Sequence, residues 1–210
     1  MKKTEKVPTE EKVLAAALQE FADYGYDGAR VDRIAARAKI NKAMIYYHFK
    51  SKEALYERIL KDLLDGIYSY VASIVPKDAS PLDELYVILD NYMNYINALD
   101  QNYIRIMLRE ISSGGKYFRK IGIPVLVMPM MKLVFEIVGR AKEAGQIRDI
   151  VPHYTMLQVV GGIVFFNLIK TTMKGSDIYD LVFHENYLQE FKENFMGILK
   201  HGIEKKEEPA

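Results

Sequence analysis

Between residues 30 and 52 the chain carries seven Lys or Arg side chains, Arg30, Arg33, Arg37, Lys39, Lys42, Lys50 and Lys52, against one acid, Asp32. The whole 210-residue chain has a formal net charge of only +1. Residues 1–60 hold 12 basic and 9 acidic side chains, net +3, whereas residues 61–210 hold 17 and 19, net −2. Cations in excess in one stretch and outweighed by acids elsewhere suit a polyanion, and nucleic-acid phosphate is the polyanion that such a patch fits. Asn41, Ala43, Met44, Tyr46, Tyr47 and His48 lie among these cations. Hydroxyl and imidazole groups can reach phosphate oxygens, and Ala, Met and Tyr can touch base edges or thymine methyls.

Two short helices must position them. Val31, Ile34, Ala35 and Ala38 follow the i, i+3, i+4, i+7 spacing of a helix with one buried face. Asn41 is a suitable N-cap for a second helix, Lys42 to Phe49, that buries Ile45 and Phe49 and leaves Lys42, Ala43, Met44, Tyr46, Tyr47 and His48 exposed. Two such helices across a tight turn form a helix-turn-helix, whose second helix enters the major groove of DNA. An earlier helix from Thr9, with Val13, Leu14, Ala17, Leu18 and Phe21 in one stripe and Gly25 at its end, supplies the scaffold.

The run from Gly25 to Leu55, with Gly25-Tyr26, Ile34-Ala35-Ala36-Arg37-Ala38, Tyr46-Tyr47-His48-Phe49 and Lys52-Glu53-Ala54-Leu55, resembles the DNA-binding domain of TetR-family transcriptional regulators. Two positions depart from the family pattern. Lys39 stands where the turn usually has Gly, at a cost of about 1 kcal/mol if its φ is positive, and Arg30 replaces the usual capping Thr. The residues and the resemblance together make Arg30, Arg33, Asn41, Lys42, Ala43, Met44, Tyr46, Tyr47, His48 and Lys52 the candidate DNA-binding set. Lys42, Met44 and Tyr47 are expected at bases or their flanks, and Arg30, Tyr46, His48 and Lys52 at phosphates.

The rest of the chain reads as helix. Ser51 starts a fourth helix that ends before Pro76. Ser80-Pro81-Leu82-Asp83 opens a fifth, running to about Leu99. Asp100 opens a sixth, which stops at Gly114-Gly115. The seventh starts near one of Pro124 and Pro129 and is kinked near the other, ending at Gly145. An eighth runs from Pro152 to near Gly175, and a ninth from about His184 to Gly202. The expectation is an all-α protein of about nine helices. Residues 1–51 form a three-helix DNA-binding domain, and residues 52–210 a larger helical ligand-binding and dimerisation domain. Lys2, Lys3 and Lys6 could add phosphate contacts from a polar N-terminal tail.

Composition narrows the alternatives. There is no Cys, hence no disulfide, thiolate metal site or thiol nucleophile. The N-terminus lacks the apolar stretch of a signal peptide, and the longest later apolar run, Val159 to Phe166, is short of a bilayer span, so a cytoplasmic protein without membrane contact is expected. No phosphate-binding loop, hydrolase elbow or dinucleotide fingerprint occurs, and the four His lack metal-ligand spacing. Neither an enzyme nor a cofactor is expected.

Two further expectations concern the later helices. Tyr and Met recur between residues 86 and 131, and a Tyr hydroxyl beside an adaptable Met suits a cavity for an organic molecule. As in similar regulators, this region is expected to hold a small organic effector, with Tyr92, Tyr95, Tyr103, Met107, Phe118 and Phe165 as candidate contacts and Asn91, Asn94, Arg105 and Arg109 as possible polar anchors. The eighth helix is apolar nearly all round, which a single chain cannot easily bury. Helices 8 and 9 are therefore expected to pair with a second copy, giving a homodimer on a palindromic operator. The rival reading is a DNA-binding dimer of the same fold that recruits a protein partner and senses no small molecule; a well-filled interior would favour it.

Overall fold

In the computed structural model, which describes residues 9–205, the chain is helical almost throughout. Its helices are α1 (Thr9–Gly28), α2 (Val31–Ala38), α3 (Lys42–Phe49), α4 (Lys52–Ile74), α5 (Pro81–Ala98), α6 (Gln101–Ser112), α7 (Met128–Glu143), α8 (Pro152–Met173), α9 (Tyr179–Val182) and α10 (Tyr187–Ile203). A π-helical segment, Phe118–Val127, leads into α7. Extended pairing among the described residues is a single antiparallel bridge, Ile147 with Glu204. Lys2, Lys3 and Lys6 lie outside the described residues.

Most boundaries follow from local chemistry. The Ser80 hydroxyl accepts from the Asp83 N–H at 3.2 Å, with Pro81 at the first helical position of α5. Asp100 caps α6 by accepting from the Asn102 N–H at 2.8 Å. Gly25 breaks α1 with φ 69 and ψ 178, a backbone region open essentially to glycine. The seventh helix starts at Met128 beside Pro129, and Pro124 sits inside the π-helical segment that leads into it; a widened turn accommodates the carbonyl left without its N–H partner. One element differs from the sequence expectation. The short α9 precedes the last helix, so the expected ninth helix is α10.

The chain divides into two compact units, Met1–Gly66 with Asp100–Val127, and Ile67–Leu99 with Met128–Ala210. The first gathers α1, α2, α3, α6 and the start of α4 around Val13, Ala17, Phe21, Ile34, Ile45, Leu55, Leu60 and Ile106. Phe21, Tyr26, Tyr56 and Tyr117 pack ring on ring, Phe21 with Tyr56 at 4.8 Å and Tyr56 with Tyr117 at 5.1 Å between centroids. The buried Glu110 closes this core. It accepts from the backbone N–H of Tyr117 (2.6 Å) and Phe118 (3.1 Å), capping the π-helical segment, and from the Tyr56 hydroxyl (3.1 Å). Burial, then the Glu110 charge, pushes the Tyr56 phenol pKa up.

The second unit packs α5, α7, α8 and α10 around Val71, Leu85, Ile88, Ile137, Val138, Ala141, Ile147 and Ile203. The buried Glu84 accepts two bonds from Arg140, at 2.8 and 2.6 Å, and that pairing holds its carboxyl below the usual range. Backbone bonds from Arg148 N–H to the Ile203 carbonyl (3.0 Å) and from Lys205 N–H to the Gln146 carbonyl (3.1 Å) tie the α7–α8 connection to the end of α10.

Two stretches, Phe118–Glu143 and Pro152–Met173, are long and apolar enough to cross a bilayer by length and composition. This corrects the sequence reading, which counted only the uninterrupted run Val159 to Phe166. Lys132 and Glu136 fall inside the first stretch and Lys170 inside the second, and ionisable groups at such positions are costly in hydrocarbon. Apolar helices of this length also arise where protein covers them.

Candidate nucleic-acid interface

Lys39 sets the turn between α2 and α3. Its φ of 56 and ψ of 46 place it in the left-handed region, and its N–H and that of Ile40 donate to the carbonyls of Ala36 (3.2 Å) and Ala35 (3.1 Å). The Asn41 side chain then accepts from the Ala43 N–H at 2.8 Å, so Asn41 works as the N-cap of α3. Ile45 and Phe49 anchor α3 in the core. With that face fixed, Lys42, Ala43, Met44, Tyr46 and Tyr47 are exposed, Tyr47 at 70%. Tyr46 belongs to the exposed face and not to the core beneath it. His48 is half-buried instead of exposed: its ring packs edge-on against Tyr47 at 5.2 Å, and Nε2 is buried without a hydrogen-bond partner among the described residues.

The seven cations split into two groups. Glu20, fully buried on α1, accepts from Arg33 Nε at 2.6 Å and from the Arg30 backbone N–H at 3.1 Å, with Arg37 at 3.6 Å. Arg33 also donates to the Gly28 carbonyl (2.6 Å) and stacks over Tyr24 at 4.1 Å. Lys52 donates to the carbonyls of Tyr26 (2.8 Å) and Ala29 (3.1 Å), with its ammonium 4.5 Å from the Tyr26 ring centre. Arg33, Arg37 and Lys52 thus spend their charge holding the motif together. Arg30, Lys39, Lys42 and Lys50 are exposed. Lys42 pairs with Asp32 at 2.7 Å across the turn, which raises the lysine pKa and lowers that of the aspartate, the hydrogen bond being the largest cause for each. Both groups are solvated, so a phosphate can compete for the lysine.

Sequence reasoning did not single out Glu20, Lys39 or Lys50 for the site. Lys39 and Lys50 were legible only as part of the local charge excess; both adopt positive φ, at the C-terminal ends of α2 and α3. Glu20 carried a signal in hindsight: an acid beside Phe21 on the buried stripe, facing a helix with Arg at 33 and 37.

The candidate effector contacts fall in both units. Tyr103, Met107 and Phe118 belong to the first, where Tyr103 and Met107 pack against the core. Tyr92, Tyr95 and Phe165 belong to the second, where Tyr95 stacks on Tyr70 at 4.7 Å and Phe165 is 59% exposed. Burial alone pushes the Tyr92 phenol pKa up. The candidate polar anchors have structural partners. Arg109 donates to the carbonyls of Ala22 (3.0 Å) and Asp23 (2.9 Å), finishing α1, and Arg105 pairs with Asp23 at 3.1 Å. Asn91 donates to the Val87 carbonyl at 2.9 Å, and Asn94 accepts from Lys192 at 3.1 Å. Among the described residues no group of three or more His, Asp or Glu could hold a metal ion.

Residues 13–59 match the family model described as bacterial regulatory proteins, tetR family. Over 99 residues the chain is 32% identical to the biofilm operon icaADBC HTH-type negative transcriptional regulator IcaR of Staphylococcus aureus, a match covering 47% of this chain and 52% of that one. The chain thus spans about half the length of the curated relatives it matches. Its fold is that of the fatty acid degradation regulator FadR from Bacillus halodurans (TM-score 0.73, 18% identity, covering 95% and 98% of the two chains). FadR from Bacillus subtilis, solved with stearoyl-CoA, has the same fold (TM-score 0.70, 17% identity, 91% and 98%). The N-terminal match, the helix-turn-helix geometry and the shared all-α fold agree: residues 13–59 form a DNA-binding domain of the tetR family of bacterial regulatory proteins, in a chain with the fold of such regulators.

Proposed function

We propose that this protein is an effector-responsive repressor that binds a palindromic operator as a homodimer. One observation carries the DNA-binding part: α3 presents Lys42, Ala43, Met44, Tyr46 and Tyr47 as one exposed face, while Arg33, Arg37 and Lys52 brace it from within. In this reading Lys42, Met44 and Tyr47 address bases or their flanks. Arg30, Tyr46, Lys39 and Lys50 hold phosphates, and Asn41 and Arg33 set the pose of the helix. Repression is adopted from the Staphylococcus relative, whose name describes a negative regulator.

The dimer rests on α8 and α10. Leu157 and Phe165 on α8 and Ile198 on α10 are 64%, 59% and 68% exposed, and a groove of about 570 Å³ runs between these helices past Val159, Phe195 and Leu199. Apolar surface of this extent is what a second copy covers. The effector reading is taken from FadR of Bacillus subtilis, whose structure was solved with stearoyl-CoA; the apolar cavity of about 80 Å³ in the second unit, lined by Leu85, Ile88, Val134, Val138, Met156 and Val159, has to widen to admit an organic molecule. An effector works here only by binding the DNA-free form more tightly than the DNA-bound one. The helix α4, which contributes residues to both units, is the natural carrier of that change.

The test is fluorescence anisotropy of the purified protein on fragments of DNA neighbouring its own gene, at two salt concentrations, beside the Lys42→Ala, Tyr47→Ala double variant. Tight, salt-sensitive and fragment-selective binding that the variant loses supports the reading. Equal weak binding of every fragment by both proteins, followed by no enrichment in a genome-wide selection, would reject it.

A further inference from the structure

Lys170 on α8 is the second unit's anomaly. Its relative exposure is 9%, although a lysine ordinarily extends its ammonium into water. Buried lysines are rare without a carboxylate to compensate them, and Lys170 has no acid within ion-pair distance among the described residues. Its neighbours are neutral. Nζ donates to Asn97 Oδ1 and to the Tyr187 hydroxyl (3.1 Å), and that hydroxyl donates in turn to Asn97 Oδ1 at 2.8 Å. An ammonium has three protons to donate; these partners take two, and the ammonium also lies 5.3 Å from the Tyr187 ring centre, a contact that offsets only part of its charge. Asp90 on the same helix as Asn97 is occupied by Lys192 at 2.7 Å. Around the triangle stand aromatic rings: Phe166 stacks on Phe191 at 3.7 Å, and Phe183 meets Phe166 and Tyr187 at 5.6 Å each.

We propose that Lys170, Asn97 and Tyr187 form the head-group site for an organic carboxylate whose apolar body packs against Phe166, Phe183 and Phe191. The inference rests on the effector-responsive reading above and gives the effector a chemical class. A carboxylate supplies the missing counter-charge and accepts the third ammonium proton, and charge-assisted bonds of this kind are shorter and stronger than neutral ones. The amide and hydroxyl keep the ammonium pointed inward. An alcohol of the same skeleton offers a hydroxyl but no charge, so the site discriminates by charge and not by shape.

The experiment follows thermal unfolding of the full chain by circular dichroism with 4-phenylbutyrate, decanoate and palmitate, each beside the alcohol of the same skeleton. In the wild type at least one carboxylate is expected to raise the midpoint and its alcohol is not. K170M is expected to fold with unchanged helicity and a midpoint no lower than wild type, since it removes an uncompensated charge, and to lose about tenfold or more in carboxylate affinity. K170R should retain the preference for the carboxylate. The proposal is overturned if no carboxylate stabilises the wild type, if acid and alcohol act equally, or if K170M responds as the wild type does. A ligand-free K170M midpoint lower by more than about 5 °C would also overturn it, by making Lys170 a structural residue. DNA binding is measured in parallel. An alcohol that releases DNA from wild type and K170M alike would reject the head-group site and leave the effector reading standing, whereas a wild type that binds no operator would strike the broader reading itself.

Discussion

Helices α3 and α8 both present large side chains to solvent, by opposite chemistry. The exposed face of α3 mixes Lys42 with Met44, Tyr46 and Tyr47, and beneath it charge is paired within the unit: Glu20 and Glu110 are buried and accept hydrogen bonds, and Arg33 and Lys52 are tied to a carboxylate or carbonyls. Residues such as Leu157 and Phe165 on α8 are exposed with no polar purpose, and only Ile163, Asn167 and Lys170 of that helix are buried. A polar, aromatic face over a rigid base is suited to a wet, charged partner and is stable while waiting for one. An apolar face on a long helix carries a standing cost in water and marks a unit that is completed by association.

The largest expected effect breaks the base of α3. Glu20→Ala leaves Arg33 without an anion and Arg37 with Asp23 alone, and removes the acceptor for the Arg30 N–H. Unfolding by urea should show a loss of about 3–5 kcal/mol, and operator binding should fall with it. A loss below 1 kcal/mol would mean that the first unit does not depend on this buried carboxylate. The second unit has a parallel in Glu84 and Arg140. Arg140→Met should cost about 3 kcal/mol by stranding Glu84. Because the Glu84 pKa is lowered in the folded chain, its contribution is full above the ordinary glutamate pKa and is lost as pH falls through the folded value. Thermal midpoints measured downward from pH 6 should therefore fall more steeply for the wild type than for the Arg140→Met variant.

Association is the next point of contrast. Leu157→Glu together with Phe165→Glu places charges on the open face of α8 in each copy. Sedimentation velocity should show dimer affinity reduced about 100-fold or more, since each substitution acts twice across a two-fold interface. Helicity of the separated chains should persist. If mass and operator binding are both unchanged, the second copy covers some other face. On and beside α3, phosphate-facing and base-facing residues should part company. Lys50→Ala, a phosphate ligand in this reading, should lower the salt slope of log K by about 0.9 and weaken all sequences alike, whereas Lys42→Ala and Tyr47→Ala should shift sequence preference.

The sequence made legible what is decided within a turn or two. The start of α5 at Ser80-Pro81, the cap at Asn41 and the inward pair Ile45 and Phe49 each depend on residues within four positions, and the structure has them as expected. The exposed face of α3 followed from that pair. What escaped depends on distant partners. The charge of Lys52 and Arg33 points to DNA but says nothing of their partners within the chain; the carbonyls that hold Lys52, on Tyr26 and Ala29, are more than twenty residues away. Arg105 and Arg109 looked like ligand anchors because nothing nearby announced that the end of α1 would need them. The four-residue α9 has neither the length nor the side-chain cap that pattern reading needs.

The smallest expected effect separates stability from binding within one residue. Lys39 holds φ 56 at the turn, a conformation a lysine adopts at a cost of about 1 kcal/mol relative to glycine. Lys39→Gly should therefore raise the stability of the chain by about that amount in urea unfolding. If the turn is only a connection, operator affinity should stay the same or improve as the motif stiffens. If Lys39 holds a phosphate at the edge of α3, affinity should fall for every sequence, and the salt slope should drop by about 0.9 in a protein that is more stable than before. A variant that gains stability and loses only non-selective affinity would assign the strained lysine to DNA, because no defect of folding could explain the loss.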